Sequence, residues 1–306
     1  MNPKKTSSPA GWRATALFAL MIKARHKSAA LLLCCILPTL SNADIEAPRD
    51  HMTITLGPKT PAEVNRVNAQ SIAIEGKITP AVATKFSTMV NSDTTTLYIY
   101  SSGGDPESSR ALGRLIHNQH ITVTVVGSCA AACAKYVFVA GTHRVIAPGS
   151  LVGFSDTAAS IDLITSSSPD RGIHRAYEPE IVADQSYYRE LGLPERLLYD
   201  PHEMMHPQCY VVLRKVQSPT DVLIVNQYGL VVLPKSYFDD IGVEVAGAWP
   251  SSPEELIQAG KLVKAGASVG LFWKTNVRPL DDVKATLEKV ASCSAEQKHA
   301  FGLAVQ

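Results

Sequence analysis

Between Thr96 and Ser155 the sequence repeats one unit: a short β-rich run, a glycine turn, then small apolar residues at helical spacing. Leu97-Tyr98-Ile99-Tyr100 runs into Ser101-Ser102-Gly103-Gly104-Asp105. After that turn Ala111, Leu112, Leu115 and Ile116 recur with a helical period, and Pro106 stands where helices begin. Ile121 to Val126, β-branched throughout, predicts a second strand. Gly127-Ser128-Cys129 predicts a turn and Ala130 to Ala140 a buried helix. Val145-Ile146-Ala147 and Leu151 to Phe154 predict a strand pair around Pro148-Gly149. Strand–turn–helix units with glycines at the strand ends define an α/β fold, whose sites form at those turns.

The motifs in this order are Ser101-Ser102-Gly103-Gly104-Asp105, Gly127-Ser128-Cys129-Ala130-Ala131-Ala132-Cys133, Ala140-Gly141, and Ala147-Pro148-Gly149 followed by Gly153-Phe154. Together they resemble the Clp-type serine peptidases and their crotonase-fold relatives, above all a group of secreted bacterial Clp-like proteins. The likeness runs from Ser71 to Ser155, with weaker echoes to Val245. It implies a ClpP/crotonase-like spiral of repeated ββα units, followed here by a C-terminal helical extension. It also implies an oxyanion hole from the backbone N–H groups of Gly103, Gly104 and Ala132, fixed donors that need no reorganisation during reaction. The nucleophilic serine of the family would fall at Ala131 and its general-base histidine at Ser155. The acidic third member would fall between Asp200 and Met204, where Asp200 and Glu203 are the carboxylates.

Alanine cannot attack a carbonyl, and a serine hydroxyl is no general base near neutral pH. By analogy with triad knockouts, an oxyanion hole alone retains roughly 10³–10⁴-fold over water. The resemblance therefore implies a scaffold more than a reaction.

Ahead of this core, Met21 to Ser28 is basic, Ala29 to Leu40 is mostly apolar, and Ser41-Asn42-Ala43 is a small-residue cleavage pattern. This predicts a secretory signal peptide, with Met21 as an alternative start. The apolar run is shorter than the roughly 20 residues a membrane helix needs. The alternatives are a membrane anchor or a buried helix. Removing residues 1–43, with six Lys/Arg and no acid, takes the net charge from +1 to −5. A net-negative chain without a basic run is a poor nucleic-acid binder. It has no phosphate loop and no dinucleotide fingerprint, so no cofactor is expected.

The organisation read from the sequence is a leader at 1–43, a main domain at 44–250 and a helical extension at 251–306. Residues 44–67 read as an extended lead-in, Ser71 to Gly76 as the first strand, and Ala81 to Asn91 as a helix. Asp156 to Pro179, rich in Ser, Thr, Asp and Gly, reads as a mobile insertion, and Ile181 to Leu191 as a helix closed by Gly192. Runs at Tyr210–Leu213, Val222–Val225 and Leu230–Leu233 suggest a hairpin-rich β segment. A helix and a last strand follow by Val243, and two tail helices lie near Pro253–Ala265 and Leu280–Ala291.

His202 and His206, four apart, have the spacing of two metal ligands on one helix face, against a pair of ordinary surface residues at a helix end. His143 reads as a surface loop residue. Lys135, four residues after Ala131 in an apolar segment, reads as a lysine that snorkels to an edge. Without the leader four cysteines remain, and export would permit disulfides. Cys129 and Cys133 bracket the substituted turn, and helical i, i+4 Cα atoms lie about 6 Å apart, within bridging range. The alternative is two buried thiols. Cys209 and Cys293 would form the remaining pair.

Two classes of function follow. One is a non-catalytic exported protein that binds peptides or acyl groups, or serves an assembly, with an unidentified peptide or protein partner, a possible homo-oligomeric state and no stable membrane span after cleavage. The other is a serine-type hydrolase with a displaced nucleophile at Ser128, Ser155 or Cys129.

Overall fold

The structure, a computed structural model, describes residues 57–213, 216–250, 252–262 and 269–303. The expected leader at 1–43 and the first part of the lead-in lie outside these residues. The described end of the lead-in is a strand. β1 (Glu63–Asn68) pairs antiparallel with β2 (Ser71–Glu75), and the Asn68 side chain accepts from the Gln70 N–H at 2.9 Å in the turn between them. All five residues of β2 are buried, the pattern of a strand covered on both faces.

The Thr79 side chain caps α1 (Pro80–Met89) by accepting from the Val82 N–H, and the helix turns Val82 and Phe86 inward. β3 (Thr96–Ser101) ends at the glycine turn. The Asp105 carboxylate then caps α2 (Pro106–Asn118) through the Ser108 N–H at 2.8 Å. β4 (Thr122–Ala130) does not stop at Gly127 as expected. Gly127, at φ +89°, lets the strand bulge and continue, and a Cβ there would sit 2.3 Å from the Tyr100 ring. The helix expected over Ala130 to Ala140 is a π-helical segment, Cys133–Phe138, and all its residues are buried. β5 (Arg144–Ile146) and β6 (Leu151–Gly153) follow.

The stretch expected to be a mobile insertion is helical. α3 (Ala158–Ile164) begins in a capping box between Thr157 and Ser160, and α4 (Gly172–Glu190) starts nine residues before its apolar signal. Of the serines and threonines that suggested a loop, Thr157, Ser160 and Thr165 cap α3, and α4 buries Ile173, Tyr177, Asp184, Tyr187 and Tyr188. Pro179 lies inside α4 on its exposed side, where the carbonyl it leaves unpaired can bond to water.

A 3₁₀ turn at Glu195–Leu198 leads into α5 (Asp200–Met204), then β7 (Pro207–Val212), β8 (Val222–Asn226), β9 (Leu230–Val232) and α6 (Lys235–Asp240). β10 (Ala246–Gly247), α7 (Pro253–Leu262), β11 (Val269–Leu271), α8 (Leu280–Glu288) and α9 (Ala295–Ala300) complete the described chain. The last residues of the helix expected to reach Ala265 lie outside the described residues.

The main sheet runs β1-β2-β3-β4-β5-β10 with β6 also on β4, and every pairing except β1–β2 is parallel. Thus the fold is mixed α/β around a mainly parallel sheet. Only two of the three runs expected to form hairpins do so. β7 and β8 pair antiparallel, whereas β9 pairs parallel with the distant β11. Ile72, Leu97, Ile99, Val123 and Phe138 are fully buried in one cluster, which Val283 and Leu287 of α8 join. Among the described residues no helix is long and apolar enough to cross a membrane.

Candidate functional site

β4 changes neighbours along its length. Thr124 and Val125 pair with Val145 and Ile146 of β5, and beyond Gly127 the strand pairs Ser128, Cys129 and Ala130 with Leu151, Val152 and Gly153 of β6. The Gly127 N–H donates to Ser150 Oγ at 2.7 Å, fixing the crossover. The strand then ends at Ala131, which has φ +50°, a left-handed conformation that disfavours any side chain. Its N–H donates to the Gly153 carbonyl at 2.8 Å and its carbonyl accepts from the Lys135 N–H at 3.0 Å. Cys129 and Cys133 are bridged across this turn, with Cα atoms 5.3 Å apart, and Cys209 and Cys293 form the second bridge.

The glycine turn after β3 packs directly on these alanines. A Cβ at Gly103 (φ +96°) would lie 2.8 Å from the Ala130 carbonyl and 3.0 Å from the Ala132 nitrogen. Only a residue without a side chain permits this approach. Ile78 clamps the turn from the other side: its N–H donates to the Gly103 carbonyl at 2.8 Å and its carbonyl accepts from the Asp105 N–H at 2.9 Å. The structure therefore brings Gly103 onto Ala131 and Ala132, with Gly104 next to it packed on Ile78. The Gly103 N–H is already engaged by Ser101 Oγ at 3.1 Å. Among the described residues no protein acceptor faces the N–H groups of Gly104 and Ala132.

Ser155 is half-buried beyond β6, and its Oγ lies 3.4 Å from the Asp156 carbonyl oxygen. Lys135 does not snorkel. It is 9% exposed, and its ammonium donates to that same carbonyl at 2.5 Å. Burial pushes its pKa below the ordinary lysine value. Ser128 is buried within β4, and the sulfur of Cys129 is committed to its bridge. His143 is exposed on its loop.

The two carboxylates of the 200–204 stretch are engaged. Asp200 is 4% exposed and accepts from Arg196 Nε at 2.6 Å and from the Tyr237 hydroxyl at 2.8 Å, while Glu203 pairs with Arg278 at 2.7 Å. The histidines read as a surface pair part company. His206 is exposed and stacks near Tyr228 and Phe272, whereas His202 is 1% exposed. Nδ1 of His202 lies 2.7 Å from Ser160 Oγ and its Nε2 3.2 Å from Asn226 Oδ1, and burial lowers its pKa. This Ser160–His202–Asn226 chain joins the cap of α3 to β8 and was not legible in the sequence. The spacing of Lys135 from Ala131, by contrast, was the available signal for its place beside the turn.

Behind the site, α2 and α4 meet through buried charge. Arg110 bonds Asp184 at 2.7 Å and Glu180 at 2.9 Å, and the Tyr136 hydroxyl donates to Asp184 at 2.8 Å. Burial raises the Asp184 pKa, opposed by Tyr136, Lys135 and Arg110. Gly113 makes the contact possible, since a Cβ there would fall 2.0 Å from the Tyr187 hydroxyl.

The void beside Ala130 and Gly153 is about 10 Å³, closed by Leu230, Val232 and Val269. β9 reaches this edge directly, for the Phe154 and Val231 backbones exchange hydrogen bonds at 2.8 and 2.9 Å.

No established family profile matches the chain. No curated protein sequence matches it either. Among solved structures it is similar to a ClpP1 variant from Listeria monocytogenes, at 20% identity and a TM-score of 0.26, over 40% of this chain and 77% of that one.

Proposed function

We propose that this chain is an exported, non-catalytic protein of Clp-like architecture, including the spiral ββα repeat. On this reading the turn at Ala131 binds the carbonyl of a peptide or acyl group instead of cleaving it. The observation that carries the reading is Ala131 itself: a methyl group occupies a left-handed turn at the end of β4, packed on Gly103 and followed by the Ala132 N–H, which has no protein acceptor among the described residues. Such strained turns persist where the surrounding structure holds them, and nucleophiles of hydrolases stand on turns of this kind. Two disulfides fit an oxidising compartment and hence export. An assembly role and a homo-oligomer belong to the same reading, and light scattering on the purified protein measures the second.

The test is labelling of the natural protein by a fluorophosphonate. No labelling supports the reading, and stoichiometric labelling overturns it. N-terminal sequencing of protein from the cell envelope tests export; the expected first residue is Asp44, and a full-length cytoplasmic chain ends that part of the reading.

One observation favours a second reading, a hydrolase with Ser155 as nucleophile. Lys135, buried and of lowered pKa, shares the Asp156 carbonyl with Ser155 Oγ. A desolvated lysine is a competent general base. Labelling lost in Ser155→Ala would establish it.

A further inference from the structure

A second recess lies where the N-terminal end of α6, the Trp249-Pro250 segment, α7 and the 272–274 segment meet, and its Leu256 packs on Leu151 and Val232 beside the first void. It encloses about 240 Å³, room for a single-ring molecule. Both tryptophans of the described residues line it, together with Phe272, Lys235 and Lys274. Its aromatic walls are braced from behind. Trp249 packs edge-on against Phe238 at 5.5 Å, and Phe272 against Tyr228 at 6.1 Å. Trp273 is 37% exposed and leaves its ring available to an occupant.

The charge is one-sided. No carboxylate is among the described residues lining the recess. The Lys235 ammonium is held by Asp239 at 2.8 Å, whereas Lys274 has no acidic partner among the described residues. Flat π faces favour an aromatic ring in offset or edge-on contact, and the Lys274 ammonium, which forms no ion pair among the described residues although Asp200 and Glu203 line the adjoining recess it also borders, favours one anionic group. A dianion would leave a charge unpaired, and a cation would be repelled.

We infer that this recess is a binding site for a small aromatic carboxylate, its ring between Trp249, Phe272 and Trp273 and its carboxylate on Lys274. Preformed walls reduce the ordering that binding requires.

Calorimetric titration of the full chain with benzoate tests it, against benzamide, the neutral isostere, and cyclohexanecarboxylate, the same charge on a ring without π faces. Benzoate should bind saturably and at least about tenfold tighter than either control, since a charge-assisted bond and a stacked ring each supply about that factor. Lys274→Gln should lower benzoate affinity about tenfold and leave benzamide unchanged. Trp273→Ala should weaken both aromatic ligands. Both substitutions are at exposed positions, and unchanged circular dichroism verifies the fold. Absence of saturable benzoate binding overturns the assignment, as does equal affinity for benzoate and benzamide, or a Lys274→Gln variant that binds benzoate like the natural protein.

Discussion

Lys135 and Ser155 meet on one atom: the Asp156 carbonyl oxygen accepts from the lysine ammonium at 2.5 Å and lies 3.4 Å from the serine hydroxyl. A buried amine thus lies beside the position that the Clp-like resemblance assigns to a histidine. Among the described residues that carbonyl is the hydrogen-bond acceptor of the desolvated ammonium, which has three donors.

If Ala131 and Ser155 hold the nucleophile and base positions, Ala131→Ser with Ser155→His should gain fluorophosphonate labelling that the natural protein lacks. Either substitution alone should label at least about a hundredfold more slowly than the pair, because members of a triad act as a unit. Equal labelling of single and double variants would show that the alignment of these positions is wrong.

The buried lysine gives stability a pH signature. Its folded pKa is lowered, so between that value and the ordinary 10.5 the unfolded chain binds more protons than the folded one, and stability rises with pH. Lys135→Met should flatten this rise in urea melts taken across the window. Above pH 10 the buried tyrosines Tyr136 and Tyr188, with raised pKa values, act in the opposite sense in both proteins.

His202 acts from the acid side. Its folded pKa lies below the ordinary 6.5, so as pH falls below 6.5 the unfolded chain takes up a proton first and stability is lost. The slope contributed is at most about 1.4 kcal/mol per pH unit. Denaturation midpoints from pH 7.5 to 5 should fall less steeply in His202→Gln, and an unchanged slope would assign the acid sensitivity elsewhere.

Arg110→Met strands the Asp184 carboxylate, 1% exposed, between α2 and α4 and should cost about 3–5 kcal/mol. Adding Asp184→Leu should recover most of that loss, since the cost lies in the unpaired charge. Urea denaturation of the two singles and the double closes the cycle, and strict additivity would contradict the pairing.

Much of the α/β core could be read directly. β3, α2 and the first part of β4 follow from β-branched runs, a proline and Asp105 at one helix start, and helical apolar spacing. Both cysteine pairings could also be anticipated, because Cys129 and Cys133 are close in sequence and only one pair then remained. What was not legible depended on partners distant in the chain. β4 runs past Gly127 because β6 offers it a new neighbour, and β9 leaves the hairpin pattern because β11 pairs with it from beyond α7. α3 looks like loop because Thr157 and Ser160 serve as its cap, and the apolar faces of α3 and of the first half of α4 need the rest of the core to bury them. At the site, the glycine turn at Gly103-Gly104 and the Cys129–Cys133 turn were visible as motifs. The burial of Lys135 and His202 was not, since no local pattern distinguishes a lysine or histidine at an edge from one enclosed by other elements.

The Cys209–Cys293 bridge joins residues 84 apart and anchors the segment before α9 to the edge of β7. Between those two cysteines the polypeptide is a closed covalent ring. A protease that cuts once inside it, at a turn such as the one around exposed Thr220, opens the ring without releasing either end. The nicked protein would migrate as one species until a reductant is added. A single cleavage there would therefore leave α6, β10 and α8 tethered to the rest of the fold through the bridge, and loss of this part of the molecule would require reduction as well as proteolysis.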